Sequence, residues 1–275
     1  MKPITLNNYA EGAWAPGAGA MAELRSAIDG EVVALASSQG LDFAAMLRFA
    51  RDKGGPALRA MTFHQRALML KKLAEALTAH KEGLYALSYN TGATKADSWI
   101  DIDGGIGTFA VYQSKGRREL PNGKLLIDGD VEALSRGGTF QGLHVFTPLQ
   151  GAAVHINAFN FPVWGMLEKL APTLLAGVPA IVKPASATSY LTEAAVRIML
   201  DANVLPPGAL QLIVGSVGDL FDHLTCQDVV SFTGSAATAA KLKAHPVVVR
   251  EGVRFVAEQD SLNASVLGPD ASAES

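Results

Sequence analysis

The first ~35 residues are turn-rich and allow short strands, and the apolar positions that follow them recur at helical spacing. Leu70, Leu73 and Leu77 fall on one face of a predicted helix, and we interpret that face as core packing. Thr62 and Gln65 precede it in the pattern of a capping box, in which the threonine oxygen accepts the third backbone N–H of the helix. The sequence therefore predicts a helix that begins near Thr62 and buries its leucine face.

From residue 150 onward, short apolar runs alternate with helical segments. The runs predicted to be strands cover residues 152–156, 180–183, 210–214, 229–232 and 253–257. Continuous apolar strands that alternate with helices are typical of a parallel sheet that is covered on both faces. The predicted fold class is therefore α/β, a doubly wound parallel sheet.

Residues 117–141 follow neither pattern. Turn signals at Pro121–Gly123 and Asp128-Gly129 flank a short apolar run, which predicts a β-hairpin. Because a lone hairpin is marginal in water, we interpret it as an oligomerisation arm. The arm predicts a homodimer or a higher homo-oligomer.

Composition and charge exclude several classes of protein. The formal net charge is −3 with no basic block, which gives no argument for a nucleic-acid partner. No apolar run approaches the ~20 residues of a membrane span, and the first residues lack the apolar core of a secretory signal. The single cysteine excludes an internal disulfide and a cysteine-based zinc site, and the scattered histidines lack metal-site spacing. We expect a cytoplasmic protein with no metal and no membrane partner.

Polar residues, glycine or proline follow the predicted strands and would meet at the carboxyl edge of the sheet, where ligands of such sheets bind. The candidate site residues are Ile156, Asn157, Phe159, Asn160, Lys183, Ala185, Ser186, Gly215, Gly218, Phe232, Thr233, Gly234, Ser235 and Glu258. Each segment alone is compatible with an ordinary turn, since glycine, proline, asparagine and serine dominate turns. Their occurrence after successive strands favours a binding site.

The segment Thr233-Gly234-Ser235 is typical of a phosphate site. Ser235 is predicted to cap a helix that follows directly after a strand. A helix start has unpaired N–H groups and a partial positive charge, which suit a phosphate. No Gly-x-Gly-x-x-Gly segment stands between a strand and a helix, which argues against a standard Rossmann dehydrogenase.

Four motifs occur in the order NAFNFP, VKPAS, SFTGS and AEQDSLN. They resemble the motifs of the aldehyde dehydrogenase superfamily, and the last is similar to the branch that oxidises coenzyme A-linked semialdehydes after aromatic-ring opening. The resemblance implies a dinucleotide-binding domain over residues 1–116 and 142–258 and an oligomerisation arm over 117–141. Residues 259–275 would begin a catalytic domain that is largely missing.

The resemblance also implies a mechanism. A cysteine thiolate would attack the aldehyde, the Asn160 amide would hold the oxyanion, and Glu258 would activate water to hydrolyse the thioester. The family's nucleophile lies beyond the glutamate strand in a Gly-Gln-x-Cys-like segment, which does not occur before Ser275. This chain alone is therefore expected to oxidise nothing. Cys226 precedes a strand, on the wrong side of the Phe-Thr-Gly-Ser turn, and we interpret it as a small buried hydrophobe.

The cofactor implied by the resemblance is NADP, with NAD possible. Ser186 stands where the family often has a glutamate for the adenine-ribose hydroxyls, and a serine would not repel a 2′-phosphate. Lys183 is predicted to contact the ribose. Plainer readings remain: Asn160 as a helix-capping turn residue, Glu258 as a surface carboxylate and Lys183 as a solvated lysine. Two other functions stay open: an acylating aldehyde dehydrogenase or related reductase, and a non-catalytic dinucleotide-binding, oligomerising module.

Overall fold

The computed structural model describes residues 3–261, 266, 268 and 269. The strands in this part of the chain are β1 Ile4–Thr5, β2 Asn7–Ala10, β3 Ala13–Pro16, β4 Ala22–Arg25, β5 Val32–Ala36, β6 Leu126–Ala133, β7 Gln141–Phe146, β8 Ala153–Ile156, β9 Ala180–Lys183, β10 Leu210–Leu212, β11 Val229–Gly234 and β12 Arg254–Gln259. The α-helices are α1 Phe43–Phe49, α2 Gly55–Ala60, α3 Phe63–Ala79, α4 Lys81–Ser88, α5 Lys95–Arg118, α6 Trp164–Leu175, α7 Ser189–Asp201, α8 Ala236–Lys243 and α9 Pro246–Glu251.

Shorter helical segments connect some of these elements. A π-helical segment, Ala50–Gly54, joins α1 to α2. Segments of 3-10 helix cover Tyr89–Thr91, Ser186–Thr188 and Leu220–His223. No helix in the described part of the chain is long and apolar enough to cross a membrane.

The main sheet has the strand order β12-β11-β8-β9-β10-β2-β3. Its first five strands run parallel, so the predicted α/β fold with a parallel sheet is confirmed. The carboxyl ends are nearly level, since Ile156 lies opposite both Lys183 and Phe232, and Thr233 lies opposite Glu258. Strand-end side chains that are far apart in the sequence therefore share one edge.

The amino-terminal region extends this architecture. β2 pairs antiparallel with β10, and β3 pairs with β2, so this hairpin forms the other edge of the main sheet. Strands β1, β5 and β4 form a separate small sheet. Short strands were predicted in this turn-rich region, but their place in the main sheet was not.

Two apolar layers cover the main sheet. Helices α3, α5, α6 and α7 contribute to one layer, and α1, α8 and α9 contribute to the other. Neighbouring residues of β9 show the alternation, because Ile181 belongs to the second layer and Val182 to the first. The predicted leucine face of α3 lies in the first layer, and the capping box of Thr62 and Gln65 is present. The central strands β8, β9 and β10 are thus buried on both faces, as a doubly wound sheet requires.

A two-stranded hairpin, β6–β7, overlaps the predicted arm, but most of its second strand lies beyond residue 141 and its details differ from the prediction. Helix α5 continues to Arg118, and β7 continues to Phe146. The Asp128-Gly129 pair lies inside β6, where the register shifts and Gly129 has a φ of +77°. This glycine therefore forms a bulge rather than a turn. Oligomerisation through the hairpin stays a prediction.

The interpretation of Cys226 as a buried hydrophobe is wrong, because its side chain is exposed. The Asp228 N–H donates to the Thr225 carbonyl (3.0 Å), which closes a turn over Cys226. Asp228 is buried and accepts bonds from the Thr225 N–H and hydroxyl, while Leu224 fills the apolar layer. The inward positions of this loop are thus taken by its neighbours, and the thiol faces solvent.

Candidate active site

A hollow of about 540 Å³ lies at the carboxyl ends of β8, β11 and β12. Its lining residues are Ile156, Asn157, Ala158, Phe159, Asn160, Ala185, Phe232, Thr233, Gly234, Ser235, Thr238, Glu258 and Asp260. We call it the central hollow. Of the predicted site residues, all line this hollow except Lys183, Ser186, Gly215 and Gly218.

Three of those four residues line a second hollow of about 500 Å³, which we call the serine hollow. Ser186, Gly215 and Gly218 lie there beside the turn that follows β5. Three more serines line this hollow: Ser37, Ser38 and Ser216. Sequence reasoning missed the contribution of the β5 turn to this hollow. A Cβ added to Gly215 would come within 2.5 Å of Ser38 Oγ, so only glycine allows this approach.

Lys183 lines neither hollow, although its neighbours line both. It ends β9, beside Ile156 of the central hollow, and Ala185 and Ser186 then face the central and serine hollows respectively. Lys183 makes no ion pair with any residue of the described part of the chain. Burial lowers the pKa of its ammonium group. A partly buried cation with no counter-ion suits an anionic or hydroxylated ligand between the two hollows.

A third hollow of about 380 Å³, the aromatic hollow, adjoins the central one. Its lining residues are Ile100, Ala158, Asn160, Phe161, Trp164, Gly165, Glu168, Thr233 and Glu258. Asn160 and Glu258 line both the central and the aromatic hollow, so they lie where the two meet. Sequence reasoning missed Trp164 and Glu168, although their i, i+4 spacing on α6 places them on one helix face.

Asn160 lies in the loop between β8 and α6. It is exposed, and its side-chain amide has no hydrogen-bond partner within the described part of the chain. The N–H groups of this amide are therefore available to a ligand that enters either hollow. This arrangement suits an oxyanion donor, because a carboxamide donates without carrying a titrating proton.

Glu258 lies on β12, the edge strand of the main sheet. Its Oε2 accepts a hydrogen bond from the Thr233 hydroxyl (3.3 Å), which fixes the carboxylate at the junction of the two hollows. The partial burial that would favour a base role is not seen, since Glu258 is exposed in this chain. Among the described residues, β12 has a neighbouring strand on one side only, which is β11.

The predicted helix start after β11 is confirmed. Ser235 is the N-cap of α8, and its hydroxyl accepts the Thr238 N–H (3.3 Å). A Cβ on Gly234 would come within 2.7 Å of the Phe232 ring, so a glycine allows the backbone to pass this close to the ring. Sequence reasoning missed Asp260, whose Oδ1 accepts the Ala236 N–H (2.7 Å) at the same helix start. A carboxylate thus already occupies part of the position that suits a phosphate.

Comparisons with known proteins identify the family of this chain. Residues 14–275 match the aldehyde dehydrogenase family. The chain is 47% identical over 269 residues to the 3,4-dehydroadipyl-CoA semialdehyde dehydrogenase of Aromatoleum evansii. The matched region covers 98% of this chain and 52% of that protein. It is 28% identical over 217 residues to the glutarate-semialdehyde dehydrogenase of Pseudomonas putida, with 78% and 43% of the two chains covered.

Solved structures share the fold. A lactaldehyde dehydrogenase matches 94% of this chain and 52% of its own chain with a TM-score of 0.81 at 21% identity. The NAD+-bound betaine aldehyde dehydrogenase of Staphylococcus aureus matches 93% and 50% with a TM-score of 0.79 at 19% identity. The chain spans about half the length of these structures and of the Aromatoleum relative. The family match and the 47% identity show that this chain belongs to the aldehyde dehydrogenase family.

Proposed function

We propose that the protein containing this chain oxidises a coenzyme A-linked semialdehyde to a carboxylic acid with NADP. The observation that carries the proposal is the shared position of Asn160 and Glu258, which both line the central and the aromatic hollow. An oxyanion donor and a water-activating carboxylate at one junction can serve two successive steps on one carbonyl carbon. The 47% identity to a relative named for a coenzyme A semialdehyde supports the substrate class.

The two side chains would divide the chemistry between them. When a cysteine thiolate adds to the aldehyde, the free Asn160 amide would donate to the oxyanion. After oxidation leaves a thioester, Glu258 would take a proton from the water that attacks it. Cys226 does not fit the nucleophile role, because it precedes β11 at the opposite end of the sheet. A six-residue strand places the two ends about 20 Å apart. The nucleophile would therefore come from a part of the protein outside this chain.

The hollows fit a dinucleotide. When bound, it would supply the hydride acceptor. The Gly234 cradle and the Ser235 hydroxyl would hold its phosphates in the central hollow, and the uncompensated Lys183 would lie between the hollows against a ribose or phosphate group. Of the described residues that line the serine hollow, none is a carboxylate, and Ser186 is one of its hydroxyl residues. A hollow without acidic side chains favours NADP, since nothing there repels a 2′-phosphate.

The aromatic hollow supports an aldehyde whose neighbouring groups are uncharged. Ile100, Phe161 and Trp164 give it apolar walls, and Glu168 and Glu258 are its charged residues. No lysine or arginine occurs among the described residues that line it. A substrate carboxylate near the aldehyde would meet like charges there, whereas a thioester would not. Oligomerisation and a cytoplasmic location stay predictions.

The test uses the full-length protein with a coenzyme A semialdehyde and with the corresponding free acid semialdehyde. We expect faster NADPH formation from the coenzyme A ester and a free acid as the product at the oxidised end. A product that requires added coenzyme A would favour the acylating reading instead. If no aldehyde yields reduced cofactor, the result would favour the non-catalytic dinucleotide-binding module.

Glu258→Gln separates the two chemical steps. We expect a burst of NADPH equal to the enzyme concentration, followed by steady turnover at least tenfold slower, because hydride transfer precedes the step that needs the base. Glu251→Gln, on α9 and outside the hollows, is the matched control and should keep full turnover. An unchanged steady rate in Glu258→Gln would remove this residue from the base role.

A further inference from the structure

A buried carboxylate contacts the loop that carries Asn160. Asp101 lies on α5 and is only 4% exposed. Its Oδ1 accepts the backbone N–H groups of Trp164 (2.7 Å) and Val163 (3.1 Å) at the start of α6. Within the described part of the chain it makes no ion pair with a lysine, arginine or histidine. Its charge is therefore balanced by peptide N–H groups rather than by a cation.

The same loop is fixed from its other side by two threonines. The Thr188 hydroxyl donates to the Phe159 carbonyl (3.3 Å), and the Thr192 hydroxyl donates to the Pro162 carbonyl (3.2 Å). The backbone is thus held immediately before and shortly after Asn160, while the Asn160 amide itself is left free. Such an arrangement fixes where the amide lies without occupying its donors.

We propose that Asp101 is a positioning residue, whose carboxylate holds the start of α6 so that the Asn160 amide faces the oxyanion. This role rests on the proposed function, because it concerns the donor of that reaction. A negative charge at a helix start is favourable, and hydrogen bonds to a carboxylate are stronger than neutral ones. Helix α6 needs such a partner, since its N-cap residue, Val163, has no side chain that could cap it.

The energetics are consistent with a role beyond stability. Burial raises the pKa of Asp101 to about 6, and the two N–H donors only partly oppose this rise. Ionisation of Asp101 is therefore less favourable in the folded protein than in the unfolded chain. A serine or threonine at the N-cap of α6 would satisfy the same N–H groups without a buried charge. The hydrogen bonds to Asp101 instead link the Asn160 loop to α5, a helix of the first apolar layer.

Asp103 offers a matched control on the same helix. It lies two residues further along α5, and its carboxylate bonds to Lys81 Nζ (2.6 Å) and to the Tyr85 hydroxyl. It therefore has hydrogen-bond partners comparable in number to those of Asp101, but they belong to α4 and not to the Asn160 loop. Asp101→Asn and Asp103→Asn remove the same charge from the same helix.

Amide hydrogen exchange tests the contact without any need for activity. In Asp101→Asn the remaining oxygen loses the charge that strengthens its bonds to both N–H groups, and an N–H₂ group replaces the Oδ2 that also accepts the Val163 N–H (3.3 Å), so the Val163 and Trp164 amides should exchange at least tenfold faster than in the unmodified protein. Asp103→Asn should leave their exchange within twofold. Unchanged exchange at both amides in Asp101→Asn would overturn the proposal.

Pre-steady-state kinetics of the full-length enzyme test the positioning. Asp101→Asn should slow the NADPH burst at least tenfold and change the aldehyde KM less than threefold. If Asp101 acts through Asn160, the same substitution in an Asn160→Ala background should change the burst rate less than twofold. Two multiplicative losses would overturn the proposal, because they would show independent roles.

Two further results are decisive. If the unmodified enzyme oxidises no aldehyde, the proposed function fails, and the exchange rates still show whether Asp101 holds the loop. If Asp101→Asn does not fold, Asp101→Ala repeats both measurements, because alanine favours the helix and introduces no misplaced donor. A wild-type burst rate in Asp101→Ala would overturn the positioning role.

Discussion

Two helix starts meet at the site, and they are held in different ways. The start of α6 is bound by a buried carboxylate that lies 63 residues away in the chain, on another helix. The start of α8 is bound by its own N-cap, Ser235, and by the exposed Asp260 from the end of β12. Both satisfy orphan backbone N–H groups. Only the first connects the helix start to the protein interior.

The difference corresponds to the two tasks that we propose for the site. A donor that must meet a developing oxyanion gains from a loop that is fixed in advance, which is the role proposed for Asp101 beside Asn160. A helix start that receives a phosphate gains from partners that can yield to it, and exposed partners such as Asp260 can do so. We therefore expect a fixed reaction side at α6 and an exchangeable cofactor side at α8.

The largest expected effect belongs to the Asn160 side chain. In the full-length enzyme, Asn160→Ala should slow the hydride-transfer burst by a factor on the order of 10²–10³, as is typical for the loss of one oxyanion donor. The cofactor Kd should stay within twofold, because the reaction side is changed alone. Asn122→Ala, an exposed asparagine outside the three hollows, is the control. A loss below about threefold would argue against the oxyanion role.

The second effect concerns stability and pH. Folding raises the pKa of Asp101 from 3.8 to about 6, so the folded state binds this proton more tightly than the unfolded chain. The contribution of this group is therefore most stabilising below pH 4 and is lost as the pH rises to about 6. The upper bound of the loss is about 3 kcal/mol, at 1.36 kcal/mol per unit of pKa.

Thermal unfolding measures this contribution. The fall in Tm between pH 4.5 and pH 7 should be smaller in Asp101→Asn than in the unmodified protein, because the amide does not titrate. Asp103→Asn, which removes one carboxylate from the same helix, is the control variant. An equal fall in Tm in the unmodified protein and in Asp101→Asn would show that ionisation of Asp101 does not destabilise the folded protein.

Much of the cofactor side could be predicted from the sequence, because its determinants are local. A continuous apolar run places β9 at Ala180–Lys183, and a serine directly after a strand predicts the N-cap of α8. Regular alternation of strands and helices then brings their carboxyl ends together. Local chemistry and repeated order were enough for these residues.

The reaction side could not be predicted to the same extent. Asp101 is one of several aspartates on α5, and nothing in its local sequence separates it from Asp97 or Asp103. Its role depends on the packing of α5 against α6, which no local pattern encodes. Cys226 shows the opposite error, since its place before an apolar strand suggested burial and the turn closed by Asp228 excluded it. Such outcomes depend on which residue of a loop points inward.

The third effect concerns cofactor choice at the serine hollow. Ser186→Glu places a carboxylate where we propose the 2′-phosphate, so the preference for NADP over NAD should fall about tenfold, equal to 1.4 kcal/mol. Titration of both cofactors into the protein measures it. The adjacent Ala187→Glu adds the same charge outside the lining of that hollow and should change the preference little. Tighter binding of NAD than NADP by the unmodified protein would reject the NADP assignment.

The smallest expected effect lies at the start of α8. Asp260→Asn keeps an oxygen for the Ala236 N–H but removes a negative charge from the position proposed for a phosphate. We expect NADP to bind about threefold more tightly, and the gain to shrink at 0.5 M salt, because interactions of exposed charges are screened. Asp128→Asn in the hairpin changes the net charge equally and should leave the Kd unaltered. Weaker binding in Asp260→Asn would mean that this carboxylate orders the helix start for the cofactor, and the α8 side would then be as fixed as the α6 side.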